Sequence, residues 1–233
     1  YKLIYLMEPE SVKVVLLGES GVGKTCIISQ FTEHKFDQTV LSSLSAQFVS
    51  KTIEYIDFGK AIKFDIWDTV GQERFRSMAK IFYKDAKVVV FVYDITSLKS
   101  FDAIQNFWYN EIKNNCDVTP VIALVGNKTD LYEDQKVDIS DARNFAKKIG
   151  AIFQLTSAKK DDGISVLFDN IGKKYLKPNF EYDANDKAAK EKYEKKKANE
   201  PNTRIRIKLG NSSNNTNSDN NNNEEKPKGG CCK

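Results

Sequence analysis

Cysteine, histidine and proline are scarce in this chain: 233 residues hold four cysteines, one histidine and five prolines. Cys26 and Cys116 stand alone inside apolar patterns, while Cys231 and Cys232 are adjacent, so neither a disulfide framework nor a metal-ligand spacing is present. That usage fits a reducing, cytosolic compartment. No apolar run approaches the roughly 18 residues that cross a bilayer, and the expectation is a soluble or lipid-anchored protein. The opening YKLIYL is too short for a signal peptide, and Met7 is the expected natural start. Charge of one sign is missing from the body: residues 1–176 carry 23 Lys+Arg against 23 Asp+Glu, so the formal +4 resides in 177–233, with 13 against 9. A neutral body gives no electrostatic basis for binding nucleic acid, whereas the tail offers weak attraction to an anionic membrane surface. The single histidine, His34, reads as a surface residue without a role.

What is there begins with VKVVLL, residues 12–17, a continuous aliphatic run of the kind buried on both faces of a sheet. It leads into GESGVGKT, Gly18 to Thr25, which fits the phosphate-binding pattern G-x-x-x-x-G-K-[ST]. Gly18, Gly21 and Gly23 let the backbone turn its N–H groups inward around a polyphosphate. Lys24 pairs with the outer phosphates, the Thr25 hydroxyl suits magnesium, and the helix that follows adds its positive dipole end. Ser20, Val22 and Cys26 complete the expected contacts of this loop. The polar, Ser-rich segment 34–45 reads as a loop sited to touch the nucleotide, a candidate lid.

Residues 47–56 and 61–67 alternate apolar with polar around Asp57-Phe58-Gly59-Lys60, an antiparallel hairpin. Residues 87–93 and 121–125 predict further buried strands and 151–155 a short last one; helical spacing covers 24–33, 97–114, 140–149 and 164–176, with a stretch ending at Tyr83. This alternation predicts an α/β fold: a mostly parallel sheet with helices on both faces, residues 12–176, after an extension of residues 1–11. From 177 onward the composition is Lys/Glu-rich and then Asn/Ser-rich, with too little apolar surface to offset ordering entropy, so a largely disordered tail is expected.

Three more stretches lie at predicted strand ends, where ligands of such sheets bind. In DTVGQ, Asp68 can hold magnesium through a water, Gly71 offers an N–H to the γ-phosphate, and Gln72 can orient an attacking water. In NKTD, the Asp130 carboxylate accepts two parallel hydrogen bonds from the N1–H and exocyclic amine of guanine, a donor pair that adenine lacks. Asn127 would bridge this loop to the phosphate loop and the Lys128 stem would stack on the base. In TSAK, the Ala158 N–H can reach the guanine carbonyl, with Ser157 and Lys159 beside it.

Together GESGVGKT, WDTVGQERF, NKTD and TSAK resemble the nucleotide motifs of small Ras-superfamily GTPases (P-loop NTPases of the small G-protein type), and RFRSM, FYKDA and FVYDIT resemble stretches particular to the Rab family. The resemblance covers about residues 12–176. It implies a six-stranded sheet, a cycle between GDP and GTP forms with magnesium, slow GTP hydrolysis using Lys24 and Gln72, and control of vesicle traffic through effectors. It further implies an exchange factor, a GTPase-activating protein, a GDP-dissociation inhibitor and an escort protein as partners. Phe36 matches the aromatic that packs on guanine. Ser43 falls where the family has a threonine ligand to magnesium, and serine keeps the hydroxyl without the β-branch stiffness. LSAQF, residues 44–48, and Val70 also depart from the family pattern. Phe48, Trp67 and Phe82 match an effector-contact aromatic triad, although half-buried sheet packing is an equally open reading. The terminal GGCCK resembles a doubly prenylated end at Cys231 and Cys232, which would place the protein on the cytosolic face of an intracellular membrane, since one lipid alone anchors only marginally. Ile205, Ile207 and Leu209 resemble the escort-docking motif. Two further readings remain: a GTP-loaded scaffold with negligible hydrolysis, and an ATP-handling kinase, which Asp130 disfavours.

Overall fold

A computed structural model describes residues 8–37, 47–69, 79–116 and 119–180. Ser43, residues 44–46, Val70, Gly71, Gln72, the stretch 74–78, and the tail from residue 181 with Ile205, Ile207, Leu209, Cys231 and Cys232 lie outside these residues.

Six strands form one sheet: β1 (Glu10–Leu17), β2 (Gln47–Tyr55), β3 (Lys60–Asp68), β4 (Val88–Asp94), β5 (Val121–Asn127) and β6 (Ile152–Leu155). Their order is β2-β3-β1-β4-β5-β6, and every neighbouring pair is parallel except β2 with β3. The hairpin is antiparallel because its turn is short: a 3-10 turn over Ile56–Phe58 ends on Gly59 at φ 58°. The expected mostly parallel, six-stranded sheet is therefore present.

The continuous apolar runs are explained by burial on both faces. In β1, Val12, Val14 and Leu16 face one core with α1 (Lys24–Glu33) and α6 (Ile164–Leu176). Val15 and Leu17 face the other, against α2 (Ala79–Tyr83), α3 (Leu98–Ala103), α4 (Tyr109–Asn115) and α5 (Ile139–Lys148). β4 divides likewise, with Val88, Val90 and Val92 on one side and Val89, Phe91 and Tyr93 on the other. Fully burying each such side chain contributes about 1.5–3 kcal/mol. On the first face, Phe31 of α1 stacks on Phe168 of α6 with centroids 3.6 Å apart, fixing the helix that the phosphate loop must enter.

Boundaries shift by one or two residues from the expected ones, most usefully at β5, which runs past Val125 to Asn127. The continuous helix expected over 97–114 instead begins after Ser97, whose side chain accepts from the Ser100 N–H, and contains a π turn over Ile104–Trp108. A π turn takes one residue more than an α turn. Here the wider turn carries adjacent bulky rings, Trp108 fully buried and Phe107 packed edge-on against it at 5.0 Å.

Candidate functional site

Because β3, β1, β4, β5 and β6 run the same way, their carboxyl ends open at one edge of the sheet, and GESGVGKT, NKTD, TSAK and the described residues Asp68 and Thr69 of the remaining motif are brought together there. The β1–β3 register places Leu16 opposite Asp68, setting that carboxylate beside the loop that leaves β1. The Thr69 hydroxyl donates to the Leu16 carbonyl at 2.6 Å and secures this strand end.

The phosphate loop is glycine-dependent at its two ends. At Gly18 a Cβ would stand 2.2 Å from the Val92 carbonyl oxygen. At Gly23, with φ 96°, a Cβ would stand 2.4 Å from Asn127 Nδ2. Gly23 is also the N-cap of α1 and supplies no side-chain acceptor, so the first-turn N–H groups have no side-chain cap, in contrast to α3 and α5 with Ser97 and Asp138. Between these ends, Ser20 and Gly21 are exposed and Val22 is buried.

Lys24 is buried, and its ammonium donates to the carbonyls of Gly18 and Glu19, both at 3.0 Å. Burial brings its pKa down to about 8, with the negative charges of Asp68 and Glu19 acting in the opposite direction. A cation held dry against neutral carbonyls gains from an arriving anion, and a polyphosphate fits that need. Next to it, the Thr25 hydroxyl donates its one proton to Asp68 Oδ2 at 2.5 Å, which leaves the hydroxyl lone pairs as acceptors. Among the described residues no three His, Cys, Asp or Glu side chains are grouped to hold a metal. The Thr25 hydroxyl and the Asp68 carboxylate are hard oxygen donors of the kind magnesium takes, its shell being completed by phosphates and water. Cys26 is half-buried, and burial pushes its thiol pKa up, away from nucleophilic chemistry.

Asn127 is the hub of the other half. Its Nδ2 donates to the Val22 carbonyl at 2.9 Å, while its Oδ1 accepts from the Thr156 hydroxyl at 3.1 Å and the Ala158 N–H at 3.3 Å. One buried amide thus ties the phosphate loop, the NKTD segment and the TSAK segment together. The Ser157 hydroxyl donates to Asp130 Oδ1 at 2.6 Å and orients that carboxylate. Lys128, in the left-handed region at φ 69°, pairs with Asp94 at 2.7 Å. Phe36 and Lys159 are exposed.

The sequence is similar to those of known proteins. The Ras family profile matches residues 13–177. Identity is 39% over 174 residues to Ras-related protein RabJ of Dictyostelium discoideum, spanning 73% of this chain and 67% of that protein. It is 39% over 168 residues to Ras-related protein Rab-22A of Homo sapiens, spanning 72% and 85%. Ras-related protein Rab-21 of Homo sapiens is likewise 39% identical over 166 residues, spanning 71% and 72%. The chain belongs to the Rab family of small GTPases.

Two residues of this Rab-family site escaped the sequence reading as contributors: Thr156, fully buried on Asn127, and Asp94, the partner of Lys128. Asp94 closes β4 at the same sheet edge and accepts from the Thr96 N–H and hydroxyl, both at 2.8 Å. Its place at a strand end was the available signal. The three aromatic residues also meet: Phe48 and Trp67 centroids lie 5.1 Å apart, and Trp67 and Phe82 6.1 Å. Trp67 and Phe82 pack on the core beneath them, whereas Phe48 is 54% exposed. Among the described residues no helix is long and apolar enough to cross a membrane.

Proposed function

We propose that this Rab-family protein is a guanine-nucleotide switch that binds GDP and GTP with magnesium and hydrolyses GTP slowly unless an activating protein assists. The observation that supports it best is the Asn127 hub, which ties the loop that precedes the buried Lys24 to the segment whose Ser157 orients Asp130. In this reading Lys24 balances the outer phosphates, and Thr25 and Ser43 are the hydroxyl ligands of the metal, with Asp68 acting through a water. When bound, magnesium neutralises charge developing on the β- and γ-phosphates. The Gly71 N–H donates to the γ-phosphate, Gln72 orients the attacking water, and no covalent intermediate is required. On the base side, Asp130 accepts the N1–H and exocyclic amine, Ala158 donates to the carbonyl, Phe36 and the Lys128 stem flank the ring, and Ser157 and Lys159 support the loop.

The GTP form recruits effectors, with Phe48, Trp67 and Phe82 as contacts, to regulate vesicle traffic. A prenylated Cys231–Cys232 end holds the protein on the cytosolic face of an intracellular membrane. An exchange factor, a GTPase-activating protein, a GDP-dissociation inhibitor and an escort protein serve the cycle. Single-turnover hydrolysis with magnesium, with an ATP control and Gln72→Leu, tests the proposal. The expected result is selective guanine binding, slow hydrolysis, and loss of activator-assisted hydrolysis in the variant. Equal competition by ATP, or assisted hydrolysis by Q72L at the parent rate, refutes the corresponding assignment.

A further inference from the structure

We infer that His34 and Asp161 are positioning residues that brace the end of α1 against the base-reading loop and slow nucleotide release. The inference rests on the guanine-nucleotide reading above. His34 closes α1, its N–H donating to the Gln30 carbonyl at 3.1 Å, and its Nδ1 lies 3.2 Å from Asp161 Oδ2. Asp161 sits in a turn clamped by reciprocal Ser157–Asp162 backbone bonds, Ser157 N–H to the Asp162 carbonyl at 3.0 Å and the reverse at 3.1 Å. The pair therefore joins two segments that flank the base: Phe36 follows His34 by two residues, and Ser157 to Lys159 immediately precede the Asp161 turn.

Backbone conformation supports a built contact. Among the described residues, four that are not glycine have positive φ: His34, Asp85, Lys128 and Asp161. Three of the four lie on the segments proposed to surround guanine. Left-handed backbone is unfavourable for most side-chain-bearing residues, and its concentration at one place is typical of sites whose geometry is held by their surroundings. His34 and Asp161, at φ 53° and 49°, adopt the conformation that aims their side chains at each other.

The chemistry is an imidazole facing a carboxylate. Glu33 and Lys35, which flank His34 in the sequence, pair with each other at 3.0 Å. Both side chains are partly in water, so the brace is of the modest, surface class.

The test is release of fluorescent mant-GDP from the full chain into excess GDP, for the parent, His34→Asn, Asp161→Asn and the exchanged double variant His34→Asp with Asp161→His. Asn, Asp and His all tolerate the left-handed region, so the backbone is preserved. Each single variant is expected to release about two- to fivefold faster than the parent, the range of an exposed pair. The exchanged pair recovers slow release. Parent-like release by both single variants, or no recovery in the exchanged pair, overturns the brace alone. A parent that retains no mant-GDP, yet melts cooperatively, overturns the nucleotide reading and the brace with it.

Discussion

Replacing Asn127 by alanine removes one donor and one shared acceptor from a site that is 2% exposed. Three bonds disappear: to the Val22 carbonyl at 2.9 Å, from the Thr156 hydroxyl at 3.1 Å and from the Ala158 N–H at 3.3 Å. The groups left behind are buried, Thr156 fully and Ala158 nearly so. A net worth of about 0.5–1.5 kcal/mol per bond, discounted for the longest of the three, gives a loss of about 1–4 kcal/mol. For a domain of this size that is a fall in Tm of about 2–16 °C. The measurement is thermal and urea unfolding of nucleotide-stripped protein, so that lost ligand stabilisation does not inflate the effect. Asn127→Asp, which keeps the acceptors but sets a carboxylate against the Val22 carbonyl, should lose as much. A stripped N127A protein melting within about 2 °C of the parent would show that the loops are joined by something other than this amide.

Lys24 leads to a pH prediction. Its folded-state pKa of about 8 lies below the ordinary 10.5, so burial penalises the charged form, and nucleotide-free stability should rise as pH climbs from about 8 toward 10.5. Lys24→Met removes that penalty: the stripped variant should be about 1–3 kcal/mol more stable at pH 7, lose the pH slope, and bind no GTP. Urea titrations at pH 7 and 9.5 check the first two and a GTP-binding titration the third, and a less stable variant refutes the desolvation argument. Asp130→Asn exchanges one of two acceptors for a donor, so guanine affinity should fall about 100-fold or more while xanthine nucleotides, with a carbonyl in place of the amine, gain. Competition of GDP and XDP for the site decides it.

Much of this arrangement was legible along the chain because its signals are local. Aliphatic runs at Val12–Leu17 and Val88–Tyr93 announce strands with two buried faces, and G-x-x-x-x-G-K-T states where the backbone must turn tightly. Asp68, Asn127 and Asp130 could be named because each follows a strand, and parallel strands deliver their ends to one edge. The π turn was not legible, since hydrophobic spacing over 97–114 tolerates one extra residue without losing its helical look.

From sequence alone follow the sheet class, the glycine-rich loop after β1, the place of Asp130 beyond a strand end and the neutral body, each set by residue type and short-range period. Tertiary structure alone decided that Thr156 supports Asn127, that Asp94 holds Lys128, that Lys24 is dry enough for its pKa to drop, and that His34 meets Asp161 across 127 positions of chain. The reason is physical: these effects depend on distance and desolvation between loops, and those quantities exist only once the strands have aligned and placed the loops side by side.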